Sequence, residues 1–416
     1  MQRRDLTRRC RWAGHWATYL AAVLVVWAVA AIFLFENRYG AVSFSVWAAG
    51  LVCVLALTGL TLALRRAWGP GPVGARLTAL GGAVFLALVV WQGATGLWYK
   101  SGAPSTQAAS VPVPDTVVAA TRVWIDADPA CGVDGRSDVD DCWALALALR
   151  GLTGRIVGIS TVSGNGSEAT GFAILTDLMG LAGGPPATRP PVFRGATAGQ
   201  GGATEASAGL IAALEDGPMS ILALGPLTNL AEALRARPDL AGRIVEVVAV
   251  AGKAPGDLFH PGRQWWMHFR DFNICLDTEA AGALLALNVA LTLVPFELSI
   301  GLRITPDDLD SLVESGDLGA WLAGKSRDWA GFWRDDLDQP GFSPFDLAAA
   351  AYLLEPGRFA CARENARIGY DPFLVPFGIG RDLEVAPGLD GVAVRYCRSV
   401  EDGVLGDALA LLARAP

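Results

Sequence analysis

From Arg122 onward, short apolar runs alternate with longer Ala- and Leu-rich ones, and the short runs end in polar or turn residues. Val123-Trp124-Ile125 runs into Asp126, and Ile156–Val162 into Ser163-Gly164-Asn165. Ser220–Leu224 meets Gly225-Pro226, Ile244–Ala251 meets Gly252-Lys253, and Ala290–Phe296 meets Glu297. Such runs suit buried strands, and the stretches between them, beginning with Trp143–Arg150, suit helices. This order predicts an α/β fold with a mostly parallel sheet covered by helices. Ligands in open α/β sheets bind beyond the carboxyl ends of the strands. The tips at Asp126–Asp128, Asn165, Thr228–Asn229 and Lys253 are therefore expected to converge.

The chain is 52% hydrophobic and 18% charged, with a mean hydropathy of +0.37, and the apolar excess lies at the front. Three apolar runs span Trp16–Phe35, Val42–Leu64 and Leu77–Trp98. Each approaches the ~20 residues that cross a bilayer. Aromatic residues flank them at Trp16, Tyr19, Tyr39, Trp68, Trp98 and Tyr99, as at a membrane interface. The first run is long for a signal peptide, and further spans follow it. Arg3, Arg4, Arg8, Arg9 and Arg11 precede the first span, Arg38 alone lies in the next loop, and Arg65, Arg66 and Arg76 lie in the one after. That bias puts the N-terminus in the cytoplasm and everything after Tyr99 outside. The expected organisation is a multi-pass cell-membrane anchor of three transmembrane helices over residues 1–100, a Pro/Ser/Ala-rich linker over 101–120, and one extracytoplasmic domain over 121–416. No ionisable residue interrupts the spans, which argues against transport.

Net charge is -8 and the pI about 5.0, with no basic stripe beyond the first hundred residues. That excludes nucleic acid as an expected partner. The seven cysteines form no CxxC pair and no zinc-type cluster. They read as small buried hydrophobes, with Cys361–Cys397 a candidate disulfide if the domain lies outside the cytoplasm.

The segment richest in chemistry is Ile125-Asp126-Ala127-Asp128-Pro129, followed by Asp138-Val139-Asp140-Asp141, with Asp134 between. Some of these acids suit the first turn of a helix. Packed together they repel one another, and a shared hard cation relieves that. Carboxylate and carbonyl oxygens suit calcium or magnesium rather than zinc.

This D-x-D-P turn with its following D-D resembles the opening of the inosine-uridine nucleoside hydrolase family. Further segments match it in order: Ser163-Gly164-Asn165; Gly225-Pro226-Leu227-Thr228-Asn229-Leu230; Asp271-Phe272-Asn273-Ile274 with Asp277 and Ala280; and Phe345-Asp346-Leu347 to Tyr352. The resemblance covers roughly residues 122–400. It implies a doubly wound, mostly parallel sheet and a calcium-dependent hydrolase that cleaves the N-glycosidic bond of a ribonucleoside. It assigns Asp128, Asp141, Asp346 and the carbonyl of Thr228 to Ca2+. It makes Asp128 the base for a calcium-held water, gives the sugar hydroxyls to Asp140 and Asn165, and places Asp271 and Asn273 at the far side of the ribose. Asp126 would brace the turn. Soluble relatives suggest a homodimer.

The sequence departs from the family at three places. Eleven residues, Pro129–Val139, separate Asp128 from Asp140, a longer stretch than the family usually has, which makes Asp138 a rival to Asp140. Phe345 stands where the family often has a His that protonates the leaving base. His268 or His260, in the aromatic loop with Phe259, Trp265, Trp266 and Phe269, is a candidate replacement, and the loop could instead stack the base. Asp271 replaces the usual Glu. Lys253 and Arg263 are candidate contacts for a charged substrate. Competing readings are a hydrolase of another N- or O-glycoside and a non-catalytic calcium- and ribose-binding sensor. Taken singly, Asn165, Thr228, Asp271 and Asn273 read equally as turn or cap residues, and Asp346 as the N-cap of a helix over Leu347–Leu354.

Overall fold

The computed structural model describes residues 122–134, 137–182, 186–255, 257, 259–261, 271–370 and 381–414. The three apolar runs, the linker, Arg263 and His268 with its neighbouring aromatic residues lie outside the described residues. Among the described residues no helix is long and apolar enough to cross a membrane.

Nine strands of the described residues form one sheet in the order β3-β2-β1-β4-β5-β6-β9-β7-β8. They are β1 (Val123–Ala127), β2 (Ile156–Thr161), β3 (Val192–Phe193), β4 (Met219–Ala223), β5 (Ile244–Ala249), β6 (Leu291–Leu293), β7 (Phe359–Tyr370), β8 (Arg381–Ala386) and β9 (Val392–Val400). From β3 to β9 in that order every pairing is parallel, whereas β7 pairs antiparallel with both β9 and β8. The predicted strands from 123 to 293 are present, with ends shifted by a few residues. The antiparallel β7–β9 unit was not legible in the apolar runs.

β1 and β4 are buried along their whole length, as strands covered on both faces must be. The chain reverses direction along the sheet at β1, which has β2 on one side and β4 on the other. This is the doubly wound switch point, where the strand ends leave a crevice. The helix α1 (Asp140–Gly151) follows β1 and starts three residues earlier than the apolar pattern indicates. Its residues 140–149 are all buried, and it packs against α10 (Phe345–Leu354), which is nearly as buried. Alanines along both helices permit that close approach. Between them in the chain lie α2 (Glu168–Ala182), α3 (Glu205–Asp216), α4 (Thr228–Ala236), α5 (Phe272–Leu276), α6 (Thr278–Ala286), α7 (Phe296–Ser299), α8 (Pro306–Val313) and α9 (Asp317–Asp335), and α11 (Val404–Leu412) closes the described chain.

The reading of the cysteines as small hydrophobes needs correction. Cys131 is bonded to Cys142, and Cys361 to Cys397. The second bond joins residues directly paired between β7 and β9. The first was not anticipated. It depends on the long insert folding back onto α1, which residue spacing does not reveal.

Candidate active site

Asp126, at the end of β1, braces the switch point. Its Oδ1 accepts from Ser160 Oγ on β2 at 2.5 Å and from Asn229 Nδ2 on α4 at 2.8 Å. Ser160 also accepts from Trp124 Nε1, and Asn229 further joins Thr161 O and the N–H of Ala196. Burial pushes the Asp126 carboxyl up to about 6, against the pull of its two hydrogen bonds. A buried polar network of this kind is stable only when satisfied throughout, and each member here has its partner.

Two residues on, Asp128 is 1% exposed. Its Oδ2 accepts the N–H of Asn165 at 2.7 Å, and its own N–H donates to Asp141 Oδ1 at 2.9 Å. Its Oδ1 is buried with no hydrogen-bond partner among the described residues. Glycines make room for this carboxylate. A Cβ on Gly164 would stand 1.9 Å from Asp128 Oδ2, and one on Gly225 would stand 2.6 Å from Oδ1. The two glycine-bearing strand tips therefore do more than turn the chain, since they admit an acid that any side chain would displace.

The first turn of α1 supplies Asp140 and Asp141. Asp140 Oδ2 accepts the N–H of Asp346 at 3.2 Å, across 206 residues of sequence. Asn165 Nδ2 lies 3.5 Å from Asp141 Oδ2. Carboxylate oxygens of Asp140, Asp141 and Asp346 all lie within 4.8 Å of one another. Asp346 lies inside the first turn of α10, whose N-cap is Pro344. The expectation that it caps a helix starting at Leu347 is corrected: its carboxylate turns to the other acids. Asp138 accepts the N–H groups of Val139 and Asp140 at 2.6 and 3.3 Å.

Burial, reinforced by neighbouring carboxylates, pushes Asp140 and Asp141 up to about 7 and holds Asp128, Asp138 and Asp346 well above the usual carboxylate range. Removing even one uncompensated ion from water costs on the order of several kcal/mol, so the cluster is no source of stability by itself. Oxygen donors from four acids, one of them unpartnered, fit a hard divalent cation of the calcium or magnesium type.

The other predicted residues are held by bonds within the protein. Thr228 opens α4, and its hydroxyl donates to Asp277 Oδ2 at 2.6 Å. Asp271 caps α5, accepting from Ile274 N at 3.2 Å and Gly252 N at 2.7 Å, and burial pushes it up to about 7. Asn273 Nδ2 donates to Leu224 O and Val250 O, tying together the segments that follow β4 and β5. The cap reading of Asp271 is thus realised, and its contact with a sugar is an added expectation.

Lys253, just beyond β5, is buried, with its Nζ 2.8 Å from Asp382 on β8. Its side chain serves that ion pair, which opposes its reading as a contact for a charged substrate. His260 is exposed. Phe345, beside Asp346, packs edge-on to Phe259 at 5.4 Å and lies 6.2 Å from Trp333, while Phe259 lies 4.3 Å from Phe296. Sequence reasoning missed Phe296 and Trp333. The aromatic density of α9 was the only local signal for Trp333.

A buried carboxylate cluster at the switch point of a doubly wound sheet defines an α/β protein whose oxygen donors fit a cation. The sequence profile of the family described as inosine-uridine preferring nucleoside hydrolase matches residues 123–372, and the chain belongs to that family. It is 28% identical over 142 residues to the non-specific ribonucleoside hydrolase RihC of Salmonella paratyphi A, a match covering 34% of this chain and 43% of the relative. The chain thus spans less than half the length of the curated relatives it matches.

Among solved structures it resembles a plant nucleoside hydrolase, with 20% identity, a TM-score of 0.56, and coverage of 71% of this chain and 99% of that one. A purine-preferring ribonucleoside hydrolase from Gardnerella vaginalis gives 16%, 0.55, 70% and 98%, and an inosine-uridine preferring nucleoside hydrolase from Bacillus anthracis 17%, 0.53, 71% and 99%. At those identities the structural likeness establishes the fold.

Proposed function

We propose that the protein is a calcium-dependent hydrolase of the N-glycosidic bond of a ribonucleoside, releasing base and ribose. One observation carries the reading. Asp128 is buried with one oxygen anchored by Asn165 and the other unpartnered, beside the cluster of Asp140, Asp141 and Asp346. Asp128, Asp141, Asp346 and the Thr228 carbonyl would hold the ion. A calcium ion bound there supplies Lewis acidity and a template for the sugar's vicinal hydroxyls.

Asp128 Oδ1 takes the proton of the attacking water, a role that suits an oxygen with no competing donor. Asp140 and Asn165 orient the hydroxyls. The ring of carboxylates stabilises the positive charge that builds on the sugar as the bond to the base breaks. Asp271 and Asn273, fixed by backbone bonds, present a rigid far wall.

Phe345 in its aromatic cluster favours a second reading, hydrolysis of another N- or O-glycoside whose leaving group stacks on rings instead of being protonated from that position. His268 is the candidate acid under the first reading.

We also infer an extracytoplasmic domain on a three-span membrane anchor. The Lys/Arg bias around the apolar runs supports it, and two disulfides suit an oxidising compartment.

The test incubates the full chain with inosine, uridine, cytidine and adenosine, with calcium and then with EDTA, and follows free ribose. Calcium-dependent ribose release is expected. A folded, calcium-binding protein that releases no ribose from any of the four would overturn the nucleoside reading and leave the other glycoside or a binding role.

A further inference from the structure

The insert between Asp128 and Asp140 carries one half of a covalent tie. Cys131, three residues past Asp128, is bonded to Cys142, the residue after Asp141. The bond joins the segment leaving β1 to the first turn of α1. These are the two pieces of chain whose acids face each other, and both cysteines are buried.

The same gap is bridged by the hydrogen bond from Asp128 N to Asp141 Oδ1. On the α1 side, Asp138 holds the N–H groups of Val139 and Asp140. Opposing these ties is the mutual repulsion of buried carboxylates, which a bound cation would relieve. A disulfide across so short a loop limits that separation.

We propose that the Cys131–Cys142 disulfide is a clamp that presets the cation site, so that cation affinity follows the thiol–disulfide state of this one pair. The inference rests on the cation-site reading above and adds its regulation. To open the clamp, a dithiol gives two electrons and two protons to the bond. Its own sulfurs join as a disulfide, and Cys131 and Cys142 become two thiols. The ordering cost of gathering the acids then falls on cation binding, which weakens. Linkage requires the converse, that a bound cation stabilises the closed disulfide by the same factor. Cys361–Cys397 lies beyond β6 in the sheet, with β4 and β5 between it and β1, and provides an internal control.

Calcium binding to the full chain is measured by titration calorimetry for the unaltered protein, Cys131→Ala with Cys142→Ala, and Cys361→Ala with Cys397→Ala. Affinity should fall at least ~10-fold in the first pair and hold in the second, even where both lose thermal stability. Equal affinity in all three proteins overturns the clamp, whereas no calcium binding by the unaltered chain overturns the cation reading itself. A reciprocal measurement needs no variant. The unaltered chain is titrated with dithiothreitol with and without saturating calcium, and its thiols are alkylated and mapped by mass spectrometry. Calcium should raise the dithiothreitol needed to open Cys131–Cys142 by about 10-fold and leave Cys361–Cys397 unchanged. No shift, or the same shift at both bonds, contradicts the clamp.

Discussion

The N–H of Asp128 donates to the carboxylate of Asp141 at 2.9 Å, so the backbone just past β1 is held to the start of α1 by an acid of that helix, beside the carboxylate of Asp128 itself. Structure and function oppose each other there, because the contact brings buried like charges side by side.

Replacing Asp128 with Asn should therefore act in two directions. Loss of the base should lower turnover by about 10²- to 10⁴-fold. Loss of a buried charge should raise the melting temperature of the calcium-free protein by a few degrees. Ribose release and thermal unfolding in EDTA check the two effects, and a variant both active and less stable would contradict the assignment.

Asp140 and Asp141 have carboxyls pushed up to about 7 by burial in the cation-free protein. An acid with a folded value above its unfolded one contributes stability below about 4, and that contribution disappears as pH rises through 7. Cation-free stability should fall from pH 5 to pH 8. Calcium competes with those protons, so its stabilising shift in melting temperature should be larger at pH 8 than at pH 6. A shift that is flat or larger at pH 6 would remove these acids from the cation site.

Gly164→Ala should damage the site more than the fold. The added Cβ would fall 1.9 Å from Asp128 Oδ2, so the carboxylate must move off the Asn165 N–H. Turnover should drop at least ~100-fold for a stability loss of about 1–3 kcal/mol, measured by ribose release and denaturant unfolding. Near-native turnover would show that Asp128 need not stand where it does.

Asn229→Ala should do the reverse. It strips bonds from Asp126 and Thr161 O and strands the N–H of Ala196. The expected cost is about 2–4 kcal/mol in denaturant unfolding, and an effect below 1 kcal/mol would show that water replaces the amide.

The parallel strands and their order of polar tips were legible because each buried strand is one unbroken apolar run. The acids were legible because Asp126, Asp128, Asp138, Asp140 and Asp141 lie within one stretch of chain. Family membership was legible from several short motifs in order, each weak alone. The linear sequence also marked Gly164 and Gly225, though not their purpose.

Tertiary structure alone decided what depends on partners distant in sequence. It set Asp346 N against Asp140, paired Lys253 with Asp382, spent Asp271 on a helix cap, and bonded Cys131 to Cys142 through a folded-back insert. It also turned β7, β8 and β9 into an antiparallel edge. The physical reason is the same in each case. Local sequence marks which runs can form buried strands or helices, whereas strand direction, the identity of a side chain's neighbour, and so the charge and hydrogen bonds it meets, exist only after distant segments have packed.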